Sequence, residues 1–558
     1  MHPCDTTADT CHEGSDHQKT AELLPMGCGG SSSQLVIKSR ASARRLRVHR
    51  RRTTRLWLWC GVVFLAVLPA CGSSQEASSP RRNVLTIGFP EAKISSAETG
   101  LGQLITGFTL EGLTQVNVDG RATPRLAESW KWENDGLALR LKLRSGVTFH
   151  DGTPLTATVA AKALDAAITR PANRAMYPFL ADIIRVRADS EDVVLDLAQR
   201  SAFLPEELEL PLTLGPENVG TGPFRLAQRG PDAVVLERFD RYYLGAPQIA
   251  QVVIRPFDTL RTAWTSLLRG DVDMVTDVPH DAVDFLQDSE IEVVSFPRRY
   301  QFMIAFNSRR PPLSSPIVRR ALNTAVDREK IIMSVLQGAG EPATGALWPK
   351  HWAYDATVQP FPFDPAGAVA SLESAGFTLS TASNSLPPAR LRFSCLVPAD
   401  FSLLERIGLE VQKQLYDVGV DMQFEEVPIQ EYDARLREGR FDAVLLDSIS
   451  GPTFGRPFIF WRSAEHFQGF NVFGYENAET EKLFQALRAA TNEATVRSAT
   501  YRLQRAMTND PPALFLVWNE RARAISRRFR VVDEQGRDPL HTIWQWTENT
   551  DRQSVSTQ

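Results

Sequence analysis

The chain has 558 residues, of which 43% are hydrophobic and 23% charged, and a formal net charge of −4. That length supports a large core and more than one domain, and a mildly acidic chain lacks the concentrated basic face that a nucleic-acid partner requires. The charge is uneven: ten of the 62 Lys and Arg but only five of the 66 Asp and Glu fall in residues 1–71, so the remainder is more acidic than the whole.

The N-terminal region reads as an address. Eight arginines lie between Arg40 and Arg55, and the apolar run Leu56 to Leu68 follows. It is short for a membrane span and suits the apolar region of a signal peptide. The run ends in Leu68-Pro69-Ala70-Cys71 and then Gly72-Ser73-Ser74, which resembles the lipobox of bacterial lipoproteins. That resemblance implies a Cys71 acylated on sulfur, anchored by about 0.8 kcal/mol per buried CH₂. Residues 1–47 carry Asp5, Asp9, Glu13, Asp16 and Glu22 and fit a signal peptide poorly, whereas a start at Val48 gives a compact basic one. We therefore read 1–47 as an extension, 48–70 as signal peptide and 71–83 as a tether.

Structure is expected from the strand Val84 to Phe89, closed by Pro90. A hairpin follows over Trp130 to Leu143 around Asn134-Asp135-Gly136, with Leu137, Leu139, Leu141 and Leu143 alternating with polar residues. A second turn, His150 to Pro154, leads to an alanine-rich helix over Ala157 to Ile168. Val234 to Glu237 and Val252 to Ile254 read as strands, and Leu260 to Leu268 as a helix stopped by Gly270. Ser315-Pro316 starts a helix whose apolar stripe is Ile317, Ala321, Leu322 and Ala325, with its arginines expected on the outside. Asp327 caps a helix ending at Gly338, Asp364-Pro365 starts one ending before Gly376, and Leu403 to Val418 forms another ending at Gly419. This mixture predicts α/β layers rather than a bundle or a sandwich.

Catalytic signatures are absent from the mature sequence: it has no Gly-x-Ser-x-Gly elbow, Ser-x-x-Lys, His-Glu-x-x-His, Cys-x-x-Cys or Walker-type loop. His150, His280, His351, His466 and His541 are scattered without metal-ligand spacing, so neither metal nor cofactor is expected. Cys4, Cys11, Cys28, Cys60 and Cys71 all lie in the N-terminal region, which leaves Cys395 alone in the body and excludes an internal disulfide. In the run Leu391 to Val397 it reads as a small buried hydrophobe.

A set of short motifs nevertheless recurs in a recognisable order. Glu111-Gly112-Leu113 precedes Pro124-Arg125-Leu126-Ala127-Glu128-Ser129-Trp130. Leu143 to Pro154 reads Leu-Arg-Ser-Gly-Val-Thr-Phe-His-Asp-Gly-Thr-Pro. Gly220-Thr221-Gly222-Pro223-Phe224, Tyr242-Tyr243-Leu244-Gly245, Ala263 to Asp273, Phe306-Asn307, Val318 to Arg328 and Phe441-Asp442 follow. Each is weak alone; in this order the set resembles the extracellular solute-binding proteins of family 5, the peptide- and nickel-binding components of ABC importers. The resemblance implies an α/β, two-lobed, periplasmic-binding-protein type II-like fold. Lobe I would comprise 84–100, 218–305 and 505–545, with 101–217 an extra subdomain upon it, 306–504 forming lobe II and 546–558 a tail. It implies an exported, monomeric, lipid-anchored protein that binds a small or peptide-like solute between the lobes. That solute would pass unchanged to ABC permease subunits and their ATPases. A surface lipoprotein enzyme or a ligand sensor on the same fold is the alternative.

Peptide-binding relatives place an aspartate after the late Phe-Asp strand, in a stretch matching Leu446 to Pro457. Here the expected aspartates align with Gly451 and Phe454, and Asp447 stands nearby. Arg456 is either a bidentate partner for an anion or an exposed loop arginine. The aromatic residues of the implied cleft are Tyr300, Phe302, Trp348, Trp461 and Trp518, with Glu98 a further candidate.

Overall fold

The computed structural model describes residues 83–90, 100–215, 219–278, 290–380, 387–399, 401–463 and 471–549. Glu98, Cys71 and residues 1–82, which include the expected signal peptide and all but the last residue of the expected tether, lie outside them. Eleven strands form one continuous sheet. From one edge it runs Val420–Val427, Leu391–Pro398, Ala443–Ile449, Ile291–Phe306, Ala513–Ser526, Met274–Val275, Val84–Pro90, Gln251–Phe257, Val234–Arg238 and Phe224–Arg229, with Gly340–Pro342 added to Ala513–Ser526.

Two strands are far longer than the rest, Ile291–Phe306 with 16 residues and Ala513–Ser526 with 14. They pair antiparallel and bridge the two halves of the sheet. Ile291 to Pro297 lies opposite Ser526 to Glu520, while Gln301 to Ala305 lies opposite Trp518 to Ala513, with a register break between Pro297 and Gln301. Beyond the break, Tyr300 to Phe306 also pairs with Ile449 to Ala443. A bulge of this kind locally interrupts the ladder and sharpens the twist. It sits where the sheet passes from one half to the other.

Each half has its own core. One packs Leu85, Ile87, Val252, Ile254, Phe224 and Trp546; the other packs Phe302, Ile304, Phe306, Val318, Ile407 and Leu445. A separate sheet, in the order Ala127–Glu133, Ala138–Leu143, Asp192–Leu197, Ile183–Asp189, carries the residues between the first strand and Phe224. Leu139, Leu141 and Leu143 face its core as the alternation predicts, but Leu137 belongs to the turn and is exposed. The core of this sheet runs without a break into residues of the second half, including Trp348, Phe454, Phe458 and Trp461.

The helices Ala157–Ile168, Leu260–Leu268, Pro365–Ser374 and Ser402–Asp417 form as read from the sequence. The Asp327 side chain accepts from Lys330 N–H and caps Arg328–Ser334. One expectation needs correction. Arg319, on the helix Pro316–Thr324, is buried rather than exposed, because its guanidinium donates to the Leu313 and Pro511 carbonyls and pairs with Asp510. Cys395 is fully buried in its strand, and burial pushes its thiol pKa up.

Several of the ordered motifs meet at one structural node. Glu111 accepts from Arg125 Nε at 2.6 Å, Thr221 Oγ1 at 2.8 Å, Tyr242 Oη at 2.9 Å and Tyr243 Oη at 3.2 Å, so three further motifs converge on its buried carboxylate. Gly220 and Gly222 pass so close to the end of helix Leu101–Thr109 that a Cβ would stand 2.1 Å from Thr109 O and 2.6 Å from Phe108 O respectively. Only glycine permits that approach.

Candidate functional site

Around the register break, buried polar atoms outnumber the partners the protein provides. Gln301 Oε1, Asp447 Oδ1, Trp518 Nε1 and Asn519 Nδ2 are closed to solvent and lack a hydrogen-bond partner. The ladder sorts them by face: Gln301 lies opposite both Ser448 and Trp518 on one face, while Asp447, opposite Phe302, and Asn519, next to Trp518, belong to the other. Such orphaned groups cost about 1–3 kcal/mol each, so four of them along one short stretch of the ladder call for a reason.

Charges gather at the same break. The Arg298 guanidinium lies 3.8 Å from the centroid of the Tyr300 ring. Arg521 pairs with Asp277. Asp447 feels both Arg298 and Arg521, yet burial dominates and holds its carboxyl above the usual range. Burial likewise lowers the Arg298 pKa, and the like charge of Arg521 lowers it further. Burial raises the Tyr300 pKa, against the opposing pull of Arg298 and Arg456.

The predicted site residues divide. Tyr300, Asp447 and Trp518 surround the break, and Arg456 stands within electrostatic reach of Tyr300. Arg456 opens the helix Gly455–Trp461, and its Nη1 lies 3.1 Å from Met176 Sδ. Trp348 joins them through Trp518, edge to face at 5.0 Å, and donates from Nε1 to Val118 O at 2.9 Å. Phe302 is 1% exposed inside the second core. Trp461 is 2% exposed among Phe460, Phe473, Tyr475 and Phe515, so it packs rather than lines an opening. Glu98 lies outside the described residues. Sequence reading missed Arg298, Arg521, Gln301 and Asn519. The Arg298-x-Tyr300 spacing in a strand was a usable signal, because i and i+2 share a face.

The residues between the two sheets close tightly over this region. The turn Asn117 to Arg121 reaches into the second half: Asp119 O accepts from Trp352 N–H at 2.9 Å, and the Arg121 guanidinium sits 4.3 Å over the Trp352 ring. Nearby, Phe179 packs against Phe458 and Phe203 against Phe454, both tilted at 4.7 Å, and Arg488 pairs with the buried Asp182. A cavity of about 10 Å³ remains between Trp348, His351, Tyr354, Pro452 and Phe454, roughly the room of one water. Burial, helped by Arg121 and Arg497, holds His351 down to about 3, so it stays a neutral ring there.

Among the described residues no group of three or more His, Cys, Asp and Glu could hold a metal ion, and no helix is long and apolar enough to cross a membrane. Residues 121–466 match the sequence profile of the bacterial extracellular solute-binding proteins, family 5. The chain belongs to that family. It is 23% identical over 547 residues to the oligopeptide-binding protein AppA of Bacillus subtilis (strain 168), covering 89% of this chain and 99% of that one. It is 27% identical over 384 residues to the glutathione-binding protein GsiB of Escherichia coli O1:K1, covering 65% and 72% respectively. The structure of NikZ from Campylobacter jejuni in complex with Ni(L-His) superposes with a TM-score of 0.69 at 20% identity, covering 84% of this chain and all of that one. AppA from Bacillus subtilis in complex with a nonapeptide gives 0.68 at 21% identity, covering 84% and 99%. The α/β fold is therefore that of the periplasmic binding proteins, and the chain is the substrate-binding component of an import system. Its relatives are solute-binding proteins and not enzymes.

Proposed function

We propose that this solute-binding protein receives an amino-acid-derived solute at the register break of its two bridging strands, closes two lobes upon it and hands it unchanged to an ABC permease. The observation that carries this reading is the set of orphaned donors and acceptors on Gln301, Asp447, Trp518 and Asn519, spread over both faces of the break. A ligand supplies what the fold withholds, and a site with unpaired buried groups rejects solutes that cannot pair them. The relatives' solutes, an oligopeptide, glutathione and Ni(L-His), suggest the class.

Tyr300, Trp348, Asp447, Arg456 and Trp518 are the ligand contacts, joined by Glu98. Phe302 and Trp461 support them from the core. The bridging strands form the hinge between lobe I (84–100, 218–305, 505–545) and lobe II (306–504), and the subdomain 101–217 travels with lobe I. Closure then depends on contacts a ligand makes to both lobes, because only differential affinity shifts such an equilibrium. Cys71 tethers the exported monomer to the membrane. The test is mass spectrometry of compounds released from purified, denatured protein. An unaltered solute that rebinds with one-to-one stoichiometry is expected; recovery of a chemically changed product would make the protein an enzyme and overturn the reading.

A further inference from the structure

Resting on the two-lobe reading, the turn that crosses the seam gives a further residue a part in solute binding. Thr114–Val116 and Ala122–Pro124 form a two-stranded hairpin, and a hairpin of that size is marginally stable in water by itself. This one is held from both lobes. On the lobe I side, Arg537 Nη2 donates to Asn117 Oδ1 at 2.8 Å and to Val116 O at 3.3 Å. His541 Nε2 lies 2.8 Å from the Gln115 side-chain amide and 2.5 Å from Arg537 Nη1. A Cβ at Gly536 would stand 3.4 Å from Val118 Cγ1. On the lobe II side, Trp348 Nε1 donates to Val118 O at 2.9 Å.

That last bond leads to the solute site. Trp348 is buried, and its indole carries a single N–H donor. Torsion about χ2 of a tryptophan is broad and two-fold by itself, so the bond to Val118 O selects one orientation of the ring. The ring so fixed meets Trp518 edge to face at 5.0 Å, and Trp518 lies opposite Gln301 at the register break. Contacts thus run from Arg537 through Asn117 and Val118 to Trp348 and on to Trp518. The Val118 to Trp348 link exists only while the tip is docked, and a buried indole that loses its acceptor is penalised.

We propose that the hairpin 114–124 is a latch that lobe I extends across the seam to set the aromatic wall of the solute site, with Arg537 the positioning residue that keeps it in reach. The planar guanidinium holds its two Nη2 hydrogens in a fixed orientation toward acceptors on adjacent residues, which an ammonium on a flexible stem does not. Trp348, a residue of lobe II, takes its final orientation from lobe I at closure. Solute enters before the wall is set, so the latch acts on release more than on entry.

The experiment uses the whole mature chain with nitrogen-15 in its tryptophan indoles, as purified and again after bound compounds have been released by denaturation and the protein refolded. Loss of a resonance in Trp348→Phe assigns the Trp348 N–H. Its hydrogen exchange reads the latch, and mass spectrometry of the compounds retained through gel filtration reads the solute site. We expect this N–H to be protected in wild type as purified. Arg537→Ala should speed its exchange roughly tenfold, as loss of about one hydrogen bond implies, with Arg537→Lys intermediate and thermal unfolding little changed. Asn117→Ala removes one acceptor without touching lobe I, should act in the same direction, and decides the matter if Arg537→Ala does not fold. Retained compound should fall in Arg537→Ala, and fall less when Arg537→Ala is added to Trp348→Phe. A Trp348 N–H that exchanges freely in wild type in both preparations would overturn the latch. Equal protection in wild type, Arg537→Ala and Asn117→Ala would overturn Arg537 as its positioning residue. Faster exchange with unchanged retention, or equal losses of retention with and without Trp348→Phe, would overturn the link to the solute site. A wild type that retains no compound would set aside the solute reading, while the exchange rates still decide the latch.

Discussion

Gly120 tests whether the turn Asn117 to Arg121 is a closing contact. Its φ of +83° lies in the left-handed region, and a Cβ there would stand 2.3 Å from Pro452 O and 2.4 Å from His351 Cδ2. In Gly120→Ala the unfavourable dihedral costs about 1–2 kcal/mol, and forcing a methyl into a packed seam costs about 1–3 kcal/mol. The turn has a cheaper response, which is to leave the seam. It then gives up the Trp348 bond to Val118 O, the Trp352 bond to Asp119 O, the cation–π contact of Arg121 and its 2.9 Å pair with Glu493. At about 1 kcal/mol for each hydrogen bond and less for the exposed pair and the cation–π contact, that loss is about 3 kcal/mol. The substitution should therefore cost about 2–3 kcal/mol. If the open form predominates without ligand, the cost falls on the closed form and raises Kd roughly 30- to 150-fold. Calorimetry with the recovered solute measures the affinity, and a thermal melt without ligand measures the fold. A Kd within twofold of wild type would refute the argument: with an unchanged melt the seam carries no energy, and with a melt lowered by several degrees the turn is docked in both states and closure does not make it.

Other consequences follow from the same seam and from the N-terminal address. Arg488→Ala leaves the Asp182 carboxylate, 1% exposed, without its counter-charge and with Gln199 Nε2 as its remaining side-chain donor, and should cost about 3–5 kcal/mol in urea unfolding, whereas replacing both partners by leucine should recover much of it. Burial pushes Glu206 up to about 8 from an ordinary value of 4.5. Folding therefore takes up a proton between these values, stability falls as pH rises from about 4.5 to 8, and it flattens above. Glu206→Gln should lessen that slope in thermal melts taken from pH 5 to 9, and an identical slope would remove Glu206 as its source. Cys71→Ser should abolish palmitate labelling and membrane association of the expressed chain; labelling that persists would place the anchor elsewhere.

Local physics was readable in the sequence and distant pairing was not. Thr156, Asp327 and Asp364 each sit before a helix that their side chains cap, a signal contained in a few neighbouring residues. The Gly-Thr-Gly-Pro-Phe motif makes a close approach, but the approached segment, Phe108 to Thr109, is more than 100 positions away and leaves no mark nearby. Arg319 was misread for the same reason. The Pro511 carbonyl that buries it comes from the far end of the chain. At the candidate site, aromatic composition drew attention to Trp461, which packs in the core, and away from Arg298 and Arg521. Those two acquire their meaning from the pairing of strands separated by some 220 residues. Period-two alternation also fails along Ala513 to Trp518, where six consecutive residues are buried, because that stretch is covered on both faces.

The position of Ala513–Ser526 in the middle of the sheet governs how the chain can mature. It completes both halves at once, pairing with Met274–Val275 on one side and with Ile291–Phe306 on the other. A nascent chain that has not yet delivered this strand holds two unfinished sheets with open edges, each a template for wrong partners. Neither half can lock before the last tenth of the sequence arrives, so collapse is slow and late, as for any topology dominated by distant contacts. For a chain bound for export this delay is useful: it stays threadable until it is almost entirely made. It also means that loss of the C-terminal segment disables the N-terminal half as surely as the half it appears to belong to.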